Sequence, residues 1–304
     1  MAATRTVLIT GGTSGLGLGV ARQLARDPDW HVVITGRDGT RTAAAAESLG
    51  AEALTLDLGS LQSVRAAAER FIVAEPRPLR ALIANAGLQH LRGNAESADG
   101  LEDTFAVNHL GHFLLVQLLL PTFAPPARVV IVSSDTHDPR KRTGMPEPRY
   151  TTASELARPD PAWSAGDSAA IAGRRRYTTS KLCNVLFAYE LARRCEARGI
   201  TVNAFDPGLM PGTGLARDYP TYQRLAWRYL LPVLTLVRRN VNTPGRSAAA
   251  LTRLITDPRL QTVTGRYFSG AEAIASSEES GDRDKATDLW QTSLELSGLA
   301  SPGS

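Results

Sequence analysis

The sequence predicts an α/β fold built as one doubly wound, mostly parallel sheet of seven strands with helices on both faces. Three observations predict it. Short apolar runs alternate with helical periodicity through most of the 304 residues, as right-handed βαβ units require. The early runs are apolar on both faces, which suits parallel strands buried under helices. The first of them, Thr6-Val7-Leu8-Ile9, passes through a glycine turn into a helical pattern at Leu16, Val20 and Leu24.

Taken in order, strands are expected over 7–10, 32–35, 53–56, 81–85, 129–133, 201–205 and 265–268. Helices are expected over 15–26, 61–74, 101–120, 177–198 and 244–256. No repeat and no change of composition divides the chain, so 1–304 reads as a single domain. Two segments break the rhythm. One is a polar, Pro-rich insertion over 135–176, and the other a helical excursion over 215–242. Long connections of this kind are usually functional.

Composition narrows the function classes. With 43% hydrophobic residues the chain can bury one large core without disulfide staples. The net charge is only +4 and the basic residues are scattered, so nucleic acid is not expected as a partner. Cys183 and Cys195 fall in one predicted helix, about 18 Å apart along its axis, too far to pair. Free thiols suit a reducing cytoplasm. The first strand begins within six residues of Met1, so no signal peptide is expected, and no apolar run reads as a membrane span.

Chemistry concentrates in a few motifs. Thr10-Gly11-Gly12-Thr13-Ser14-Gly15-Leu16-Gly17 joins the first strand to the first helix, the context of a dinucleotide-binding loop and of a Rossmann fold. Glycines there let the backbone approach a pyrophosphate, and the helix N-terminus offers it free N–H groups. Tyr177 and Lys181 lie four residues apart at the start of a predicted helix, on one face and about 6 Å apart along the axis. A free tyrosine titrates near about pH 10; a neighbouring ammonium and an oxidised nicotinamide would lower that and make it an acid/base. Ser134 ends the 129–133 strand, at the sheet edge where ligands sit, and its hydroxyl can steady a developing charge. Asn85-Ala86-Gly87 closes another strand at the same edge, and Asn108 lies in the helix that follows.

In this order these motifs, with Pro207-Gly208, resemble the short-chain dehydrogenase/reductase family over nearly the whole chain. The resemblance implies Tyr177 as acid/base and Ser134 orienting the carbonyl. It also implies Lys181 holding the ribose and lowering the tyrosine pKa, and Asn108 holding a water in a proton relay. Lys181-Leu182-Cys183-Asn184-Val185-Leu186-Phe187, the insertion before Tyr177, and Pro207-Gly208 followed by Thr213-Gly214-Leu215 look like the retinol dehydrogenase and protochlorophyllide reductase branch. The tail Thr264-Gly265-Arg266-Tyr267-Phe268 and Lys285-Ala286 to Trp290 is closer still to the light-dependent protochlorophyllide reductases. Where those have a functional cysteine just after Pro-Gly, this chain has Leu209, which weighs against light-driven reduction.

Cofactor choice is read at the end of the second strand. Thr35-Gly36-Arg37, with Arg41 a turn later, stands where an NAD enzyme places an acid. A guanidinium suits a 2′-phosphate, Ser14 could add a hydroxyl, and Asp38 reads as a helix cap, so NADP is expected. Asp57-Leu58 resembles the pair that frames the adenine. His109 and His112 read as core or cofactor-edge residues rather than metal ligands, and no metal is expected. Arg140-Lys141-Arg142 and Arg174-Arg175-Arg176 read as solvated. The apolar run at 225–237 within the 215–242 segment reads as a lid over an apolar substrate, with Trp227 and Tyr229 as candidate contacts, in preference to a membrane contact. The expected function is hydride transfer between NADP and a carbonyl or alcohol of an apolar small molecule, with a homo-oligomer left open. The alternatives are C=C reduction in a tetrapyrrole-like ligand and a non-catalytic NADP sensor. Intact Tyr177, Lys181, Ser134 and Asn108 argue against the sensor.

Overall fold

In the computed structural model, which describes residues 4–74, 77–90, 95–159, 161–208 and 243–299, the apolar runs assemble into one sheet. Its strands are β1 (Arg5–Ile9), β2 (Trp30–Gly36), β3 (Glu52–Thr55), β4 (Leu79–Ala84), β5 (Phe123–Val132), β6 (Ile200–Asp206), β7 (Tyr267–Ser269) and β8 (Glu272–Ile274). They lie in the order β3-β2-β1-β4-β5-β6-β7-β8. All neighbours are parallel except β7 and β8. The order reverses at β1, so a crevice opens beside its carboxyl end, where doubly wound sheets bind ligands.

The sheet holds because its strands bury both faces. Val7 and Ile9 of β1 join Val130 and Val132 of β5 under α1 (Gly15–Leu24) and α8 (Pro244–Thr256). Leu8, Leu82, Val129 and Ile131 face the other way, toward α3 (Leu61–Ala74), α5 (Gly111–Leu119) and α7 (Ala169–Cys195). Each such side chain, fully buried, contributes roughly 1.5–3 kcal/mol. The register Ile9↔Ile34, Ile9↔Ile83 and Val132↔Phe205 brings the carboxyl ends of the central strands to one edge.

Several expectations need correction. The sheet has eight strands, not seven, because Gly270 at φ 57° turns the chain back and pairs Phe268 with Ala273. The helix carrying Tyr177 begins at Ala169: Ser168 caps it by accepting from Ile171 N–H, and an alanine-rich first turn extends it. Tyr177 therefore sits within the helix and not at its start. The helix expected over 101–120 is interrupted, with α4 (Asp103–Phe105) leading through a π-turn at Ala106–Leu110 into α5. By length and composition Asp103–Thr122 could cross a membrane, but 78% of its apolar window is buried inside the fold. Two helices were not anticipated, α6 (Ala153–Ala157) and α9 (Arg283–Leu296), and α2 (Gly39–Glu47) follows the cap expected at Asp38. The Asp38 cap itself stands, accepting from Arg41 N–H at 3.0 Å.

The polar insertion is not a solvated loop. Tyr150, Ala153, Leu156, Ala157 and Trp163 join the main core, and the Asp288 carboxylate of α9 accepts from both Tyr150 Oη and Ala153 N–H. Arg175 makes a two-pronged pair with Asp167, and Arg176 is buried 4.0 Å from Glu102, so the solvated reading of this arginine run fails. Apolar residues spaced among the polar ones dock the segment, a pattern that composition hides.

Helix α9 completes the core through Trp290, whose ring lies 5.1 Å from Phe113 and 6.1 Å from Phe187. Trp290→Ala is expected to destabilise the fold by about 3–5 kcal/mol. Urea unfolding would show the loss as a lower midpoint at unchanged slope. An unchanged midpoint would mean that α9 is only loosely docked.

Candidate active site

The glycine loop is shaped by contacts that admit no larger residue. Gly11 has φ 66°, a left-handed conformation that favours glycine. A Cβ on Gly17 would fall 2.5 Å from Gly11 O and 2.7 Å from Asn85 Nδ2. Asn85 Nδ2 donates to Thr10 O at 2.8 Å, and Asn85 N–H and Ala86 N–H donate to Thr10 Oγ1, so the 85–87 turn braces the loop. Ser14 makes no side-chain cap on α1, and the first N–H groups of that helix stay available to an anion.

These elements open on a cleft of about 560 Å³. Its wall takes in Gly11, Thr13, Ser14, Gly15 and Leu16 from the loop, then Arg37 and Arg41, Asp57 and Leu58, and Asn85, Ala86 and Gly87. Tyr177, Lys181 and Pro207 close its far end. The volume falls within the range of ligand sites. Arg37 and Arg41 are both exposed, and among the described residues neither is in an ion pair. The cleft thus offers a cationic end, a helix N-terminus in the middle and a Tyr/Lys pair at the other end. That sequence of features fits a nicotinamide dinucleotide.

At the Tyr/Lys end, Lys181 Nζ lies 5.4 Å from the Tyr177 ring centroid and donates to Val132 O at 3.3 Å. Burial pushes the Lys181 pKa down to about 8. Behind them, Ser180 Oγ donates to Tyr177 O and accepts from Asn108 Nδ2 at 2.9 Å. Asn108 also bonds both backbone groups of Leu88, at 2.8 and 2.9 Å, so both its amide hydrogens and one lone pair of its oxygen brace the site. It sits in the π-turn, an irregularity frequent at functional sites.

A profile for short chain dehydrogenase matches residues 5–145. Protochlorophyllide reductase from Avena sativa is 35% identical over 318 residues, spanning 97% of this chain and 100% of that protein. The chain belongs to the short-chain dehydrogenase family. The WW domain-containing oxidoreductase of Pongo abelii is 34% identical over 302 residues, covering 96% of this chain and 68% of that protein. A solved structure of an uncharacterized protein from Mycobacterium Paratuberculosis matches with a TM-score of 0.70 and 28% identity, covering 99% of this chain and 96% of that one. As a short-chain dehydrogenase of the protochlorophyllide reductase-like branch, the protein is an NAD(P)-dependent oxidoreductase that acts on a small molecule.

Not every expected site residue reaches the cleft wall of this dehydrogenase. Gly17 and Asn108 stand behind it, and Gly208 beyond it. Ser134 is half-buried off the wall, its Oγ donating to Asp135 Oδ1 at 3.2 Å. Thr213, Leu209 and the proposed lid over 215–242 with Trp227 and Tyr229 lie outside the described residues.

The two histidines belong to the core. His109 is held near pKa 3 by burial, with Nε2 2.9 Å from Ser293 Oγ. His112, held near 4 by burial, places Nε2 2.8 Å from Thr10 Oγ1 and Nδ1 3.2 Å from Asn108 O. With Nδ1 protonated and donating to Asn108 O, Thr10 gives its one hydroxyl proton to Nε2 at 2.8 Å rather than to Ile83 O at 3.3 Å. His112 therefore ties the glycine-loop strand to the π-turn. That link is not legible in the sequence, and Leu88, Gln89, His90, Val107 and Ser133 on the cleft wall were not among the expected site residues. Val107 and Ser133 adjoin Asn108 and Ser134, a neighbourhood signal that was available.

Proposed function

We propose that the protein is an NADP-dependent carbonyl/alcohol oxidoreductase for an apolar small molecule. The observation that carries this reading is the single cleft that has Arg37 and Arg41 at one end and Tyr177 with Lys181 at the other. NADPH, when bound, supplies the hydride. Thr13, Ser14 and the α1 N-terminus would receive the pyrophosphate, and Arg37 and Arg41 the 2′-phosphate. Lys181 holds a positive charge beside Tyr177, which favours the phenolate and makes the tyrosine a better acid. Tyr177 gives its proton to the carbonyl oxygen, and in reverse takes one from the alcohol. Ser134 would exchange its 3.2 Å bond to Asp135 for a bond to the same oxygen. A screen of NADPH oxidation across apolar aldehydes, ketones and quinones tests the assignment, and no consumption with any of them would count against it.

Arg37→Asp tests cofactor choice. A carboxylate would repel the 2′-phosphate and accept from a 2′-hydroxyl, moving preference toward NADH by about 1.5–3 kcal/mol, roughly 10–150-fold. Equal affinity of the wild type for NADH and NADPH would overturn the role of Arg37. A reducing compartment such as the cytoplasm suits the buried free thiols Cys183 and Cys195.

A second reading, reduction of a C=C bond in a tetrapyrrole-like ligand, is favoured by the likeness to protochlorophyllide reductases. Pigment absorbance in the purified protein, bleaching or shifting under light with NADPH, would support it over the first.

A further inference from the structure

We propose that Asp206 is a positioning residue for the reaction, a buried carboxylate that ties the Ser134–Asp135 turn to the Pro207–Gly208 turn and acts as the counter-charge of the Lys181 ammonium. The proposal rests on the reading of Lys181 as a charged member of the site. Asp206 ends β6 and is 1% exposed. Its Oδ1 accepts from Gly208 N–H at 2.8 Å and its Oδ2 from Ser269 Oγ at 3.1 Å. The backbone N–H of Asp135 donates to the same carboxylate, and Ser134 Oγ rests on the Asp135 side chain. One side chain thus gathers the turns that follow β5, β6 and β7 at the sheet's carboxyl edge. A buried carboxylate is tolerated only with such donors.

The pairing of β5 with β6 brings Asp206 to the side of the sheet edge that holds Lys181. Lys181 Nζ bonds Val132 O, and Val132 lies in register with Phe205, the neighbour of Asp206. Burial lowers the lysine pKa to about 8, and the Asp206 charge opposes that fall. The other groups facing the pair are accounted for. Burial, and after it the charge of Asp135 beyond β5, raises Asp206 to about 6. Tyr267 on β7 is pushed up by burial and by these carboxylates, and so stays a neutral phenol. His137, its ring tilted against that of Tyr267, is lowered by burial, with Nδ1 on Ser134 O and Nε2 accepting from Ser277 N–H. Asp138 is paired with Arg140. On the opposite side of Lys181, His112 is neutral above about 4, and the Tyr177 ring completes the surround.

The signs follow. Between about 6 and about 8, Asp206 and Lys181 are both charged. Below that window Asp206 takes a proton and Lys181 loses its counter-charge; above it Lys181 loses its own proton. Asp206→Asn keeps the shape and removes the charge, so Lys181 should become neutral at a lower pH.

Lys141, Lys181 and Lys285 are the only lysines in the chain, which makes a direct titration practical. Full-length protein labelled with 13C at the lysine ε-carbon would be titrated by NMR, with signals assigned through Lys141→Arg and Lys285→Arg. In Asp206→Asn the Lys181 midpoint should fall by about one pH unit while the other two signals stay in place. The alkaline limb of NADPH-dependent turnover should move with it, a shift that a merely structural defect would not produce. Ser269→Ala, which keeps the carboxylate but removes a donor to its charged form, should move the acid-side step of the Lys181 signal to higher pH. If Asp206→Asn does not fold, that variant decides. A Lys181 midpoint in Asp206→Asn that superimposes on the wild type, or no acid-side response in Ser269→Ala, overturns the proposal. The titration needs no substrate, so a failed screen for turnover would leave it intact.

Discussion

Tyr177→Phe is expected to lose turnover by about 10²–10⁴-fold while NADPH affinity stays within a few-fold of the wild type. Only the hydroxyl is removed. The ring stays in the middle of α7, Lys181 Nζ keeps its place on Val132 O, and Ser180 still bonds the Tyr177 carbonyl. The ring's packing survives, so melting behaviour should hardly change, and fluorescence titration of NADPH separates binding from chemistry. Turnover within about a factor of three of the wild type, on any accepted carbonyl, would remove Tyr177 from the acid/base role.

Gly17→Ala is expected to weaken NADPH binding about 10–100-fold. The added methyl would lie 2.5 Å from Gly11 O and 2.7 Å from Asn85 Nδ2, so it must displace either the loop or its brace. Asn85 Nδ2 is the donor to Thr10 O and Gly11 O, and moving it releases the loop that the pyrophosphate would meet. Overpacking of this kind costs about 1–3 kcal/mol, and here it falls on the cofactor site. Turnover at saturating NADPH should recover in part, whereas Tyr177→Phe should not recover at any concentration. Affinity equal to the wild type would mean that the loop does not contact the cofactor.

What was legible in the sequence was what is local. Val7, Leu8 and Ile9 bury both faces of β1, and the turn that follows them announces itself through glycines. α3 and α8 run over the expected residues because their periodicity and the Thr243–Pro244 start are local signals. Tyr177 and Lys181 share a helix face by spacing alone. What was missed depends on residues far apart in the chain. His112 meets Thr10 across 102 positions, and Ser269 meets Asp206 across 63. Tyr150 finds its partner Asp288 in a helix that begins more than a hundred residues later, so the insertion read as polar loop when it is docked wall. Asp206, between the expected 201–205 strand and Pro207, was not singled out from the sequence, and only its burial among three donors marks it out.

Hydride from NADPH is expected to reach a carbonyl carbon in a site run by Tyr177. NADPH deuterated at the transferable position of the nicotinamide, incubated with the most active aldehyde or ketone from the screen, tests it most directly. The account predicts deuterium on the carbinol carbon of the product by mass spectrometry, and its loss with Tyr177→Phe. Absence of deuterated alcohol from every carbonyl offered, with deuterium instead entering a ring carbon of a tetrapyrrole under light, would contradict it.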